Sequence, residues 1–165
     1  MGSKRSISVL LLLGLILLSQ ALLSQRLTGL TIIGNNLGSR TFTEQQVIDA
    51  FKAKNNFWSN GKALSICLPE TKTTDATPVC SKVYLKSVAE VQKFWLSQVF
   101  QGRSRAPHFF ETDQDMIDFI QKTPGAIGAF VNEKNIAIPA ELTLQINPWL
   151  CAPAFLAKSG FPLLR

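Results

Sequence analysis

Few side chains in this sequence are equipped for chemistry. They are Cys67, Cys80, Cys151, the single histidine His108, a threonine-rich stretch from Glu70 to Pro78, and the cations Arg103 and Arg105. A thiolate beside an imidazole would make a nucleophile and its base. However, Cys67 falls in an expected strand interior and Cys80 in an expected short amphipathic helix, positions of burial that keep a thiol protonated. His108 shares no ligand spacing with any cysteine, which argues against a metal site. Neither a Gly-x-Ser-x-Gly elbow nor a phosphate-binding glycine loop is present. The chain therefore reads as a non-enzyme without metal or cofactor. Cys67 and Cys80 enclose a short loop and are the pair that could close a disulfide in an oxidising compartment, leaving Cys151 over. Equally, all three could be small buried apolar residues. Arg103, Arg105 and His108 could form a docking surface for an acidic partner; the plainer reading is a solvated loop after a helix.

The elements that must position these residues are written in local signals. Leu30 to Ile33 is a short β-branched run and reads as a strand. Thr43-Glu44-Gln45-Gln46 is a capping box, with Phe42 and Val47 at the staple positions, and predicts a helix to about Lys54. Asn60-Gly61 marks a turn, and Ala63 to Leu68 a second strand closed by Pro69. Glu70 to Pro78 has no apolar periodicity and must be a loop, with Thr77 as N-cap and Pro78 at the first position of a short helix reaching Leu85. Ser87-Val88-Ala89-Glu90 is a second capping box. Behind it Val88, Val91, Trp95 and Val99 recur at helical spacing, with Phe94 beside them. Gln101 to His108 reads as a basic loop. Thr112 caps a further helix with Asp113 and Asp115 in its first turn and Met116, Ile117, Phe119 and Ile120 as its buried surface. Pro124-Gly125 ends it, Ala126 to Val131 is an apolar strand, and Leu142 to Ile146 alternates like an edge strand. Strands interleaved with capped helices make the fold class α/β. Trp58, Trp95 and Trp149 read as core or rim packing.

The N-terminus carries an export signal. Lys4 and Arg5 precede an uncharged apolar run, Val9 to Leu18, and Ser19-Gln20-Ala21 supplies small residues at a peptidase site. Residues 1–21 are expected to be a signal peptide and 22–165 one periplasmic or secreted domain of the bacterial envelope. The 17 residues from Ile7 to Leu23 are marginal for spanning roughly 30 Å of hydrocarbon. Membrane attachment would thus come only through a leader left uncleaved. The formal charge of +6 falls by two with the leader. The remaining cations are scattered rather than striped with aromatics, which argues against nucleic acid.

Four motifs in order then resemble a known family. They are Thr43 to Phe51, Phe57-Trp58-Ser59-Asn60-Gly61, Phe94-Trp95 followed by Val99-Phe100-Gln101-Gly102-Arg103, and Thr123-Pro124-Gly125-Ala126-Ile127-Gly128. Residues 42–131 resemble the short phosphate ABC transporter substrate-binding-like proteins. The resemblance implies a single lobe of a type 2 periplasmic-binding-protein-like fold, a small mixed sheet flanked by helices. It also implies a solute-binding role toward phosphate or another small oxyanion, held in a loop where a helix N-terminus meets hydroxyls. Here that loop is Glu70 to Pro78, making Thr71, Lys72, Thr73, Thr74 and Thr77 the ligand-binding candidates. The loop departs from the family pattern: it has no glycine or arginine, Pro78 lacks an amide donor, and Glu70 and Asp75 would repel an anion. The alternative is an ordinary loop in a non-binding module that serves an envelope protein partner as sensor or assembly accessory.

Overall fold

The computed structural model describes residues 26–133 and 135–147. Residues 1–21, expected to be a signal peptide, and Trp149 and Cys151 lie outside the described residues. Strands β1 (Thr31–Gly34), β5 (Ala126–Phe130), β3 (Ser65–Pro69) and β4 (His108–Phe110) form one sheet in the order β1-β5-β3-β4. β3 runs parallel to both neighbours and β1 antiparallel to β5. A second, two-stranded parallel ribbon pairs β2 (Thr41–Phe42) with β6 (Gln145–Ile146). The outer edge of β1 is covered by the segment before β6, where Leu144 N donates to Ile32 O and Gly34 N to Leu142 O.

Helices form where the local signals ask for them. α1 (Glu44–Phe51) opens with the full Thr43/Gln46 capping box. α3 (Val88–Phe100) opens with the Ser87/Glu90 box. α4 (Asp113–Lys122) is capped by Thr112, whose side chain accepts from Asp115 N. Between β3 and α3, the short α2 (Ala76–Val79) runs directly into one wide π-helical turn, Cys80–Tyr84.

The core has two halves because strand side chains alternate between faces. Ile32, Ile66, Leu68, Ile127 and Ala129 face α1, the π turn and α3, where Val47, Phe51, Val83, Tyr84, Val91 and Trp95 are buried. Ile33, Cys67, Ala126 and Phe130 face the other way, onto Met116, Ile117 and Ile120 of α4. Gly128 permits the close approach of α4, since a Cβ there would lie 2.6 Å from Ile120 Cδ1 and 2.8 Å from Met116 Sδ. The result is a mixed sheet with helices on both faces, the expected α/β class.

Three sequence expectations change. Thr77 does not cap a helix: α2 begins at Ala76 with Asp75 at the N-cap, and Thr77 lies exposed inside the first turn. Pro78 is then the third helical residue, still among the positions whose N–H has no intrahelical partner. His108 is not the end of a loop but the first residue of β4. The α3 periodicity also buries less than its spacing suggests. Val91 and Trp95 are fully buried, while Val99 is turned outward and 40% exposed.

Candidate functional site

The threonine loop sits where β3 ends, beside the end of β5. Glu70 N donates to Phe110 O of the neighbouring strand at 2.7 Å, anchoring the loop's start. Thr73 then folds back, its N (2.9 Å) and its Oγ1 (2.7 Å) both donating to Glu70 O. Ala76 N donates to Thr73 O, and Val79 N to Asp75 O. The remaining hydroxyls meet carboxylates: Thr71 Oγ1 donates to Glu70 Oε1 at 3.2 Å, and Thr74 Oγ1 to Asp75 Oδ1 at 3.4 Å. Asp75 Oδ2 accepts the N–H of Val131, one residue past β5, at 3.3 Å. The fold therefore brings Thr71, Thr73 and Thr74 together but aims their hydroxyls at the loop's own acceptors. Lys72 and Thr77 are exposed on its outside. An incoming oxyanion would have to displace the two carboxylates from the Thr71 and Thr74 hydroxyls.

Arg103, Arg105 and His108 are all exposed. Arg103 and Arg105 are exposed in the loop after α3, whose path is fixed by Arg103 N donating to Gln98 O and Asn56 Nδ2 donating to Arg103 O. His108 pairs with Cys67 in the sheet register and faces α4, its ring centroid 4.6 Å from that of Phe119. Phe109, one residue on, faces the α3 side.

Of the two readings open for Cys67 and Cys80, a disulfide or buried apolar thiols, the structure has the second: both are buried free thiols. Proximity in sequence is defeated by the pleat. Cys67 points into the α4 half of the core and Cys80 into the α3 half, so the sheet lies between them. Burial pushes the Cys67 thiol up to about 12 and Cys80 up to about 11, which suits the buried apolar role and removes both as nucleophiles at neutral pH.

The four family-like motifs meet in two polar latches that sequence reading did not foresee. In the first, Trp58 Nε1 and Ser65 N both donate to Gly125 O, at 2.8 and 3.1 Å, while Gly125 N donates to Asn35 O at 2.7 Å. The tryptophan turn and the Pro-Gly strand entry are thereby locked together. In the second, Trp95 Nε1 donates to Tyr84 Oη, which donates to Phe51 O at the end of α1. Burial raises the Tyr84 phenol far above its ordinary range, so it stays a donor. Only Tyr84, the sole tyrosine and fully buried, could have hinted at this, since a buried phenol needs a partner. An open groove of about 240 Å³ lies beside the first latch, lined by Phe42, Gln46, Ala50, Phe57, Trp58 and Leu64 among others. It is walled largely by aromatic and apolar groups and is unrelated to the threonine loop.

No family model matches this sequence, and no curated protein matches it. Solved structures do. An ABC-type phosphate transport receptor from Vibrio cholerae superposes with a TM-score of 0.52 at 13% identity, over 72% of this chain and 46% of the receptor. A possible phosphate binding protein from Planctomyces limnophilus gives a TM-score of 0.46 at 13% identity, over 72% of this chain and 41% of that one. The chain thus spans less than half the length of these structures. The first superposition shows a periplasmic-binding-protein-like fold.

Proposed function

We propose that this chain is an exported solute-binding-like protein, related to the phosphate-binding components of ABC transporters, that binds a small oxyanion weakly if at all. The fold likeness and the ordered motifs support the relationship; the leader pattern at residues 1–21 supports export. One observation carries the statement about affinity: in the loop that the resemblance marks as the anion cradle, the Thr71 and Thr74 hydroxyls donate to the carboxylates of Glu70 and Asp75, two negative charges at the place an anion would sit. Lys72, exposed on the outside of the loop, is the loop's one cation. An exposed ion pair contributes about 0–1 kcal/mol, and a total near 4 kcal/mol corresponds to about millimolar dissociation. Neither catalysis nor a cofactor enters this reading.

Calorimetric titration with phosphate and sulfate tests it. The expected result is dissociation at millimolar concentration or weaker. The double substitution Glu70→Gln, Asp75→Asn should then tighten it by about tenfold or more, because each like charge at about 4 Å in a water-like medium opposes the anion by ~1 kcal/mol. Micromolar binding by the unsubstituted chain would refute the reading. Heat that is absent from both proteins would favour the second reading, a non-ligand-binding envelope interaction or sensor-accessory module.

A further inference from the structure

The outward face of α3 combines apolar side chains and cations in a way the core does not require. Val91 and Trp95 tie the helix to the sheet. On the other side Leu96 is 59% exposed and Phe100 82% exposed, one turn apart at i and i+4, with the half-turned Val99 between them. The flanking charges are all of one sign. Lys86 precedes the helix, Lys93 lies one turn before Leu96, and Arg103 follows the C-terminus; all three are exposed. The one acid of the helix, Glu90, feels both Lys86 and Lys93 but leaves Arg103, at the far end, without an acid of the helix beside it. It is folded back onto Ser87 in the capping box, accepting from Ser87 N at 2.9 Å and from Ser87 Oγ at 2.7 Å.

We propose that this face of α3 docks on an anionic lipid surface, inserting Leu96 and Phe100 between headgroups while Lys93 and Arg103 meet the lipid phosphates. Charge complementarity selects the occupant. An exposed apolar stripe bordered by Lys and Arg is the pattern of helices that lie in the membrane interface. The shape decides against a protein surface of the same charge. The stripe runs along the back of one helix, and three side chains fall well short of the roughly 800 Å² per partner of a stable protein interface. Lipid headgroups close around protruding side chains one at a time and need no complementary groove. The assignment stands whether or not the threonine loop takes an anion.

The test reads the face itself. Photoreactive benzoylphenylalanine is incorporated in place of Phe100 in the full chain, which is mixed with vesicles of phosphatidylcholine alone or of phosphatidylcholine with phosphatidylglycerol, then irradiated. Any other part of the chain that holds the protein to vesicles does not change which atoms the residue at 100 reaches. The same substitution at exposed Gln114 on α4 gives the background. Phospholipid adducts at position 100 should exceed those at 114 on the anionic vesicles and drop on the neutral ones. The combined Lys93→Glu and Arg103→Glu variant should lose about fivefold or more in yield, as one cation near an anionic surface is worth roughly that factor. Both charge substitutions lie on the surface, and an unchanged melting curve shows that the variant is folded. Equal yields at 100 and 114, or yields indifferent to lipid charge, would overturn the assignment. Adducts to a second copy of the chain would also overturn it.

Discussion

Replacement of Gly125 by alanine should be the most damaging single-methyl change in the first latch, and Gly61 provides its control. Both glycines adopt positive φ, +88° and +77° respectively. An L-residue in that region costs about 1–2 kcal/mol, and this is common to the two sites. Their surroundings differ. A Cβ on Gly125 would stand 2.3 Å from the Ala63 carbonyl oxygen and 3.3 Å from its carbon, whereas one on Gly61 meets no heavy atom within 4 Å. Backbone cannot rotate out of the way as a side chain can, so the residue 63 segment must move. That motion strains the hydrogen bonds from Trp58 Nε1 and Ser65 N to Gly125 O, each worth about 1 kcal/mol. Gly61→Ala should then cost about 1–2 kcal/mol and Gly125→Ala about 3–4 kcal/mol, a large part of the 5–15 kcal/mol typical of a domain. Urea unfolding followed by far-UV circular dichroism gives the comparison directly. With m of about 1–3 kcal/mol/M, the difference separates the midpoints by about 1 M. Equal midpoints would show that the tight approach at Gly125 is not a constraint and would remove the latch from the account of the fold.

Tyr84→Phe keeps the ring but strands the Trp95 indole N–H and the Phe51 carbonyl, both buried. Unfolding measurements should show a loss of about 1–3 kcal/mol. Alkylation at neutral pH followed by peptide mapping should leave Cys67 and Cys80 unmodified in the folded protein and label both in urea. The same thiols set an alkaline limit. Their pKa values are raised on folding to about 12 and about 11, so the folded state keeps protons that the unfolded chain releases near 9. Stability is therefore full below about 9 and falls as pH rises toward about 12, which melting curves across that range would show. Glu90 works in the opposite sense. Hydrogen bonds from Ser87 lower its pKa below the ordinary carboxylate value, so its capping contribution is present above that value and is lost as pH falls through the depressed one. Glu90→Gln preserves the box geometry and should flatten that acid limb of the stability profile.

Local signals were legible in this sequence and tertiary ones were not. Thr43, Ser87 and Thr112 each bond to an amide three residues on, so the sequence window that contains the residue also contains its partner. The helices begin where those residues say. The alternation of Leu142, Thr143 and Leu144 was likewise visible, and the two leucines are buried as expected. β4 was missed because three residues carry no period; it exists through its pairing with Cys67, Leu68 and Pro69. The disulfide failed for the same kind of reason. A short loop brings two cysteines near in sequence, but the strand pleat decides which face each one sees, and residue 67 alternates away from residue 80. Thr77 was displaced as cap because the turn from Glu70 through Thr73 delivers Asp75 and Ala76 to the helix start first.

The placement of the motifs limits what their resemblance can say. Residues from all four participate in the latches or in the buried core: Phe51 and Trp95 around Tyr84, Trp58 and Gly125 around one carbonyl. Their types follow from close packing and buried hydrogen bonds, demands that the fold imposes with or without a ligand. The only segment whose residues would answer to a ligand is Glu70 to Pro78, and there the sequence departs from the pattern while the structure supplies internal acceptors. Asp75 shows how firmly. Its carboxylate is not a free charge in the loop but the partner of the Val131 amide, and thus part of the way β5 ends. An anion site in this loop would need the repulsive charge removed and an acceptor kept for that amide, and Asp75→Asn meets both conditions. The loop thus carries its own anion where the resemblance would put a ligand's.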